Sequence, residues 1–217
     1  MNDKISHDSN QIEVGINIKK GEFVFLIIIL FLFPISVFII QQFTIFEGKF
    51  LEYIILIIYL PIILIYNKLP LSIYGIKKAE LKESLKANIF PTLIGVILVL
   101  IVIPISKPLL NYESITIVNS FSIWIIWYAL ISAFIQEFIF RGIIQTRLSS
   151  YFNNPKKAIL ISSIGFALSH LPINWFLVLL VVIPGFALGY SYEKAHNLIG
   201  VTVSHIIIGV FAVILLI

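Results

Sequence analysis

Long apolar runs broken by short polar segments dominate the chain, and their lengths predict helices that cross a membrane. Residues 1–22 are polar and mixed in charge and read as an unstructured tail. From Phe23 to about Thr44 the chain is apolar, which is too long for a signal-peptide core. No small-residue cleavage site follows, so this reads as a first span with Pro34 as its kink. Further runs cover Phe50–Tyr66, Asn88 to about Ser106, Phe121 to about Leu148, Ala158–Leu171, Asn174–Tyr192 and Leu198–Ile217. The connection Asn67–Lys86 is polar and carries five lysines, and residues 107–120 form a loop with Pro108, Asn111 and Glu113. The fifth run is short, so it and the sixth also fit a helical hairpin that does not cross fully. The reading is an all-α polytopic membrane bundle of about seven helices. It divides into a cytoplasmic tail (1–22), N-terminal transmembrane helices (23–120) and a C-terminal transmembrane core (121–217).

Composition agrees with that pattern. Of 217 residues, 59% are hydrophobic and only 12% charged, with a mean hydropathy of +1.05. A soluble domain carries about 25% charged residues, and a disordered chain is poor in apolar ones, so both classes are excluded. There is no cysteine, which removes disulfides, thiolate nucleophiles and cysteine-bound metals. The net charge of +4 needs no nucleic acid once the lysines are placed. With the tail inside, twelve of the 15 Lys and Arg residues fall in inside segments and two, Lys49 and Lys107, fall outside. This is the positive-inside pattern, with a cytoplasmic N-terminus. Trp124, Trp127 and Tyr128 fit an outer aromatic belt. An Ile-, Asn- and Lys-rich chain suggests an AT-rich genome and a bacterial plasma membrane.

In such a chain the informative residues are the ionisable groups inside spans, because burying them in hydrocarbon costs several kcal/mol. Four qualify: Glu137 and Arg141 in the fourth run, His170 at the end of the fifth, and His205 in the seventh. Gln136 is a fifth polar candidate. At 1.5 Å per residue from the nearest cytoplasmic cation, Glu137, His170 and His205 lie roughly 15, 20 and 16 Å deep, close to the midplane of a core about 30 Å thick. Glu137 and Arg141 are spaced i, i+4 and share a helix face, so each also reads as one half of an ion pair that makes buried charge tolerable. Arg141 can snorkel toward the cytoplasm. His170, ahead of Pro172, and His205 read equally as helix-packing residues hydrogen-bonded within the bundle. His7 and His196 lie in the tail and a loop and are assigned no role.

Two imidazoles and a carboxylate can hold Zn²⁺ and leave one position for water, so Glu137, His170 and His205 form a candidate metal set. Without metal, a carboxylate can act as general base while histidines and an arginine stabilise an oxyanion. Either chemistry suits hydrolysis of a peptide bond in the membrane, and the cofactor is Zn²⁺ or none. No His-Glu-x-x-His helix or serine elbow is present.

Gln136-Glu137-Phe138-Ile139-Phe140-Arg141 resembles the Glu-Glu-x-x-x-Arg motif of the CPBP family, the CAAX-protease and bacteriocin-processing membrane proteins also called Abi proteins. Phe166-Ala167-Leu168-Ser169-His170 resembles the family's Phe-x-x-x-His motif, and His205 begins a third, His-x-x-x-Asn. Arg141 to Gln145 and Gly185 to Asn197 are also similar to the family, so the resemblance covers residues 121–217. It implies an all-helical intramembrane endopeptidase that acts on a membrane-associated peptide or protein, with roles in prenylated-protein trimming, bacteriocin maturation or self-immunity. It also implies that the motif's first glutamate activates water while the histidines and asparagine serve the oxyanion.

Two positions depart from the family pattern. Gln136 stands where the first glutamate is expected, and an amide is a poor base. Gly209 stands where the asparagine is expected, and loss of one oxyanion donor can cost about 10²–10³ in rate. One reading is therefore an active protease in which Glu137 takes over as base or holds metal with His170 and His205. The other is a degraded relative that binds a peptide or membrane protein as an immunity or regulatory factor. A transporter is disfavoured because the buried polar groups all lie in the last four spans and no inverted repeat is evident. The expected partners are membrane lipid and a peptide or membrane protein.

Overall fold

The computed structural model describes the backbone of residues 20–41, 70–106, 123–171 and 175–216. Every helix or turn assigned among them is helical in kind. Helix α1 (Lys20–Ile27) passes through a π-helical stretch, Ile28–Leu32, into α2 (Phe33–Gln41). A 3₁₀ turn (Leu71–Tyr74) precedes the long α3 (Leu81–Ser106). Then come α4 (Ile123–Glu137), a second π segment (Phe138–Gln145), α5 (Thr146–Phe152), α6 (Pro155–Leu168), α7 (Trp175–Ala195) and α8 (Leu198–Leu216). Among the described residues α3 and α7 are long and apolar enough to cross a membrane. The expected run Phe50–Tyr66, most of the tail and the loop 107–120 lie outside the described residues, as do the side chains of Trp124, Trp127 and Tyr128.

The structure adds to the pattern reading at three places. Helix α3 starts at Leu81, not Asn88, so Lys82 and Lys86 belong to its first turns and not to a connection. Hydropathy cannot separate an exposed helical turn from a polar loop. The fourth run is helical throughout its described residues, and its later part, Phe138–Gln145, winds as a π segment. At Pro34, where a kink is expected, the structure shows a π stretch that ends two residues earlier. Pro34 offers no N–H to the carbonyl one turn back, and wider winding absorbs the mismatch.

The second π segment is the hub of the fold. All eight of its residues are buried. Ile139, Phe140 and Ile144 join Leu26, Leu30, Leu148, Ala158 and Phe166 in one apolar core, which seats α1 against α5 and α6. Phe138 and Ile143 join Tyr74, Tyr192, Leu198 and Val201 in a second core. Gly142 permits this approach, because a Cβ there would lie 3.0 Å from the Tyr74 carbonyl and 3.1 Å from the Phe138 ring. Arg147 is also buried, pairs with Glu22 of α1 and donates to the Tyr74 hydroxyl at 3.0 Å.

Helices α3 and α8 pack through small residues. Gly95 faces Ile208, and Gly200 lies against Ser84 so closely that no Cβ fits. Thr92 and Ser204 share a hydroxyl hydrogen bond of 2.6 Å across the pair. At the lysine-rich end, buried Asn197 donates to the carbonyls of Lys77 and Ala79, both at 2.8 Å, and its own carbonyl accepts from Ser84 Oγ at 3.1 Å. These bonds tie the α7–α8 junction to the segment before α3. Gly75 sits in the same knot at φ +82, and a Cβ there would meet the Tyr192 ring at 2.8 Å.

Candidate active site

Glu137 ends α4, and the π segment that follows turns Arg141 and Gln145 inward toward α6 and α7. The carboxylate of Glu137 is fully buried. Its Oε1 lies 2.7 Å from His205 Nδ1 on α8, and its Oε2 lies 3.2 Å from Arg141 Nε. Where the carboxylate accepts this hydrogen bond, Nδ1 of His205 carries the hydrogen and the lone pair of the ring sits on Nε2. Arg141 is equally buried. Its Nη2 donates to the Gly185 carbonyl of α7 at 3.0 Å, and its Cζ stacks 4.2 Å from the Phe166 ring centre. The same Gly185 carbonyl accepts from Ser163 Oγ of α6 at 3.0 Å.

Phe166 joins the remaining pieces. Its ring meets that of His170 edge-on at 5.1 Å and that of His205 at 5.5 Å. The two histidines expected at one depth therefore flank a single aromatic ring. His170 lies in the turn after α6, where its Nδ1 is 3.0 Å from the Phe166 carbonyl and 3.4 Å from Ser169 Oγ. Helix α6 begins at Pro155, with Asn154 Oδ1 accepting from the Lys157 N–H. His205 is 17% exposed while Glu137 and Arg141 have no exposed side-chain surface, so His205 is the open member of its cluster.

Of the five residues singled out in the sequence, Glu137, Arg141 and His205 are in direct contact, and His170 joins them through Phe166. Gln136 makes a different bond: its Nε2 donates to Ser132 Oγ of its own helix at 3.2 Å. Gly209 lies one turn beyond His205 with open space where a Cβ would go.

The zinc set is tested by its donors. One oxygen of Glu137 is held by His205 and the other by a guanidinium, whose charge opposes a second cation. Among the described residues no group of three or more His, Asp or Glu side chains is arranged to hold a metal. The arrangement of Glu137, His170 and His205 thus does not fit Zn²⁺.

A polar ladder built on uncharged Gln145, which carries no ionisable signal in the sequence, continues from the cluster along α7. Buried Gln145 donates to the Gly189 carbonyl at 2.9 Å and to Glu193 Oε2 at 3.0 Å, and its Oε1 accepts from Ser162 Oγ at 3.4 Å. Gly185 and Gly189 are one turn apart on α7, and a Cβ at Gly189 would crowd Gln145, Ile159 and Ser163 at 3.1–3.2 Å. The available sequence signal was the i, i+4 glycine pair opposite adjacent serines Ser162 and Ser163, a small-residue helix interface.

Residues 118–211 match the family model described as "Rce1-like: Type II CAAX prenyl endopeptidase Rce1-like". That stretch contains α4 to most of α8 and every residue of the cluster. Comparisons with curated proteins and with solved structures gave no match.

Proposed function

We propose, from the membership of residues 118–211 in the CAAX-protease-like membrane endopeptidase family, that this chain is an intramembrane peptide hydrolase whose proton acceptor is His205. The observation that carries this reading is the 2.7 Å contact between Glu137 Oε1 and His205 Nδ1. A carboxylate at Nδ1 fixes the tautomer and orientation of the ring and stabilises the imidazolium once formed. Nε2 of His205 takes a proton from water as the water oxygen adds to the scissile carbonyl. The imidazolium then returns that proton to the departing amine as the C–N bond breaks. Arg141 is a positioning residue, because it holds the second oxygen of Glu137 and is held in turn by Gly185 and Phe166. This assignment moves the base away from Gln136, whose amide cannot serve.

The substrate is a membrane-associated peptide or protein, with bacteriocin maturation or self-immunity as the finer expectation. The lysine-rich end of the bundle faces the cytoplasm of a bacterial plasma membrane. The second reading, a binding or immunity protein that uses the same cluster without cleavage, is favoured by Gln136 bonding to its own helix and by the bare face at Gly209.

The test is a comparison of protein termini in membranes from wild type, a deletion, His205→Ala, Glu137→Gln and Gln136→Glu strains. New termini present in wild type, lost in the deletion and in His205→Ala, and reduced in Glu137→Gln support hydrolysis with His205 as base. Cleavage products that appear only in Gln136→Glu reject it and support the binding protein. Termini that survive His205→Ala but vanish on deletion keep the protease and reject His205 as its base.

A further inference from the structure

An open cleft of about 610 Å³ lies at the head of α3, lined by Lys78, Glu80, Leu81, Lys82, Glu83, Leu85, Lys86 and Ile89. Its charged groups are unbalanced. Glu80 is held by Lys77 at 2.7 Å, which leaves Glu83 against three lysines. Lys78, Lys82 and Lys86 are exposed, and among the described residues none of them is in ion-pair range of a carboxylate. Lys82 and Lys86 share one face of α3 at i, i+4 spacing. Further down that face Ile89, Leu93, Ile97 and Leu100 are all exposed. The surface is therefore cationic at the head and aliphatic below, along a helix apolar enough to cross a membrane.

We propose that this cleft holds the phosphodiester headgroup of an anionic phospholipid, with an acyl chain lying along the aliphatic stripe of α3. A soluble anion would use the lysines and leave the stripe unmatched, and a neutral lipid would use the stripe and leave the lysines unmatched. A lipid with a net negative headgroup satisfies both. The site is independent of peptide cleavage and lies on a different helix from the Glu137 cluster. Orienting charge alone predicts that every lysine on this side contributes alike, whereas a built site predicts that these three dominate.

The test uses the full chain in phosphatidylcholine nanodiscs titrated with phosphatidylglycerol, with retained lipid counted by native mass spectrometry. Wild type is expected to retain phosphatidylglycerol over phosphatidylcholine. The triple variant Lys78→Gln, Lys82→Gln, Lys86→Gln should bind it on the order of 10²-fold more weakly, from about 1 kcal/mol per surface lysine. The variant Lys156→Gln, Lys157→Gln, Lys194→Gln removes the same charge from other exposed lysines and should bind within a few-fold of wild type. Replacing the three cleft lysines by arginine should restore retention. Equal loss in the two glutamine variants overturns the proposal in favour of diffuse charge. Displacement of phosphatidylglycerol by inorganic phosphate at equal concentration overturns it in favour of a free anion. Failure of the arginine variant to retain lipid, or equal retention of phosphatidylcholine, also overturns it.

Discussion

Glu137 has no exposed surface and two partners of different chemistry, a guanidinium and an imidazole. Removing one member of a buried pair leaves an uncompensated charge, at about 3–5 kcal/mol, whereas replacing both by apolar groups is often neutral. Glu137→Leu alone should therefore lower stability by about 3–5 kcal/mol, and adding Arg141→Met should recover most of the loss. Unfolding of the detergent-solubilised chain measures both; a double variant no more stable than the single one would show that the pair does not set the cost. Glu137, Arg141, His170 and His205 were readable in the sequence because each breaks an apolar run. Gln136 was readable as a motif position but not as to direction, since adjacent helix positions look alike in a linear pattern until packing assigns them faces. His170 and His205 were placed at one depth by counting residues, but that both would meet Phe166 was not countable.

At the scale of the element, the π segment Phe138–Gln145 carries Arg141 and Gln145 to the carbonyls of Gly185 and Gly189 on α7 while Phe138 and Ile143 join the second core. Nothing in the apolar run Phe121–Leu148 distinguishes π from α winding, because both tolerate the same side chains and the choice is made by the neighbours that satisfy its backbone and its polar groups. The glycines of α7 are part of that environment. Gly189→Leu should push α7 away from Gln145 and Ser163, and overpacking of this kind typically costs about 1–3 kcal/mol. Gly209→Ala, which meets open space, should be near neutral. Thermal unfolding of the two variants side by side checks this, and equal losses would sink the packing argument. The start of α3 at Leu81 was hidden for a related reason. Its first turns are exposed and lysine-rich, so they carry no apolar signal.

Over the whole molecule, the lysine-rich end is held by a knot at Asn197 and His196, the latter legible in the sequence only as a loop position. His196 Nε2 lies 2.8 Å from the Ile73 carbonyl, and the groups facing it are Lys77, Glu193 and Glu80. Burial lowers its pKa below the ordinary 6.5, the Ile73 hydrogen bond opposes that, and the Lys77 charge adds to it. The folded chain thus keeps His196 neutral at a pH where the unfolded chain has taken up a proton. Its contribution to stability should be complete above pH 6.5 and decline as the pH falls from there toward the lowered folded value. Melting temperatures across that range, compared with a His196→Gln variant, measure it; an unchanged slope in the variant would remove His196 as the cause. The all-helical membrane character, the resemblance over residues 121–217 and four of the cluster's residues followed from sequence alone, because an apolar run of bilayer length and an ionisable group inside it are each local properties of the chain. Tertiary structure decided the rest: the Glu137–His205 pairing, the bond of Gln136 to Ser132, the π winding and the Asn197 knot. Each depends on which side chain of a distant helix satisfies a buried polar atom, and that choice is made only when the helices pack.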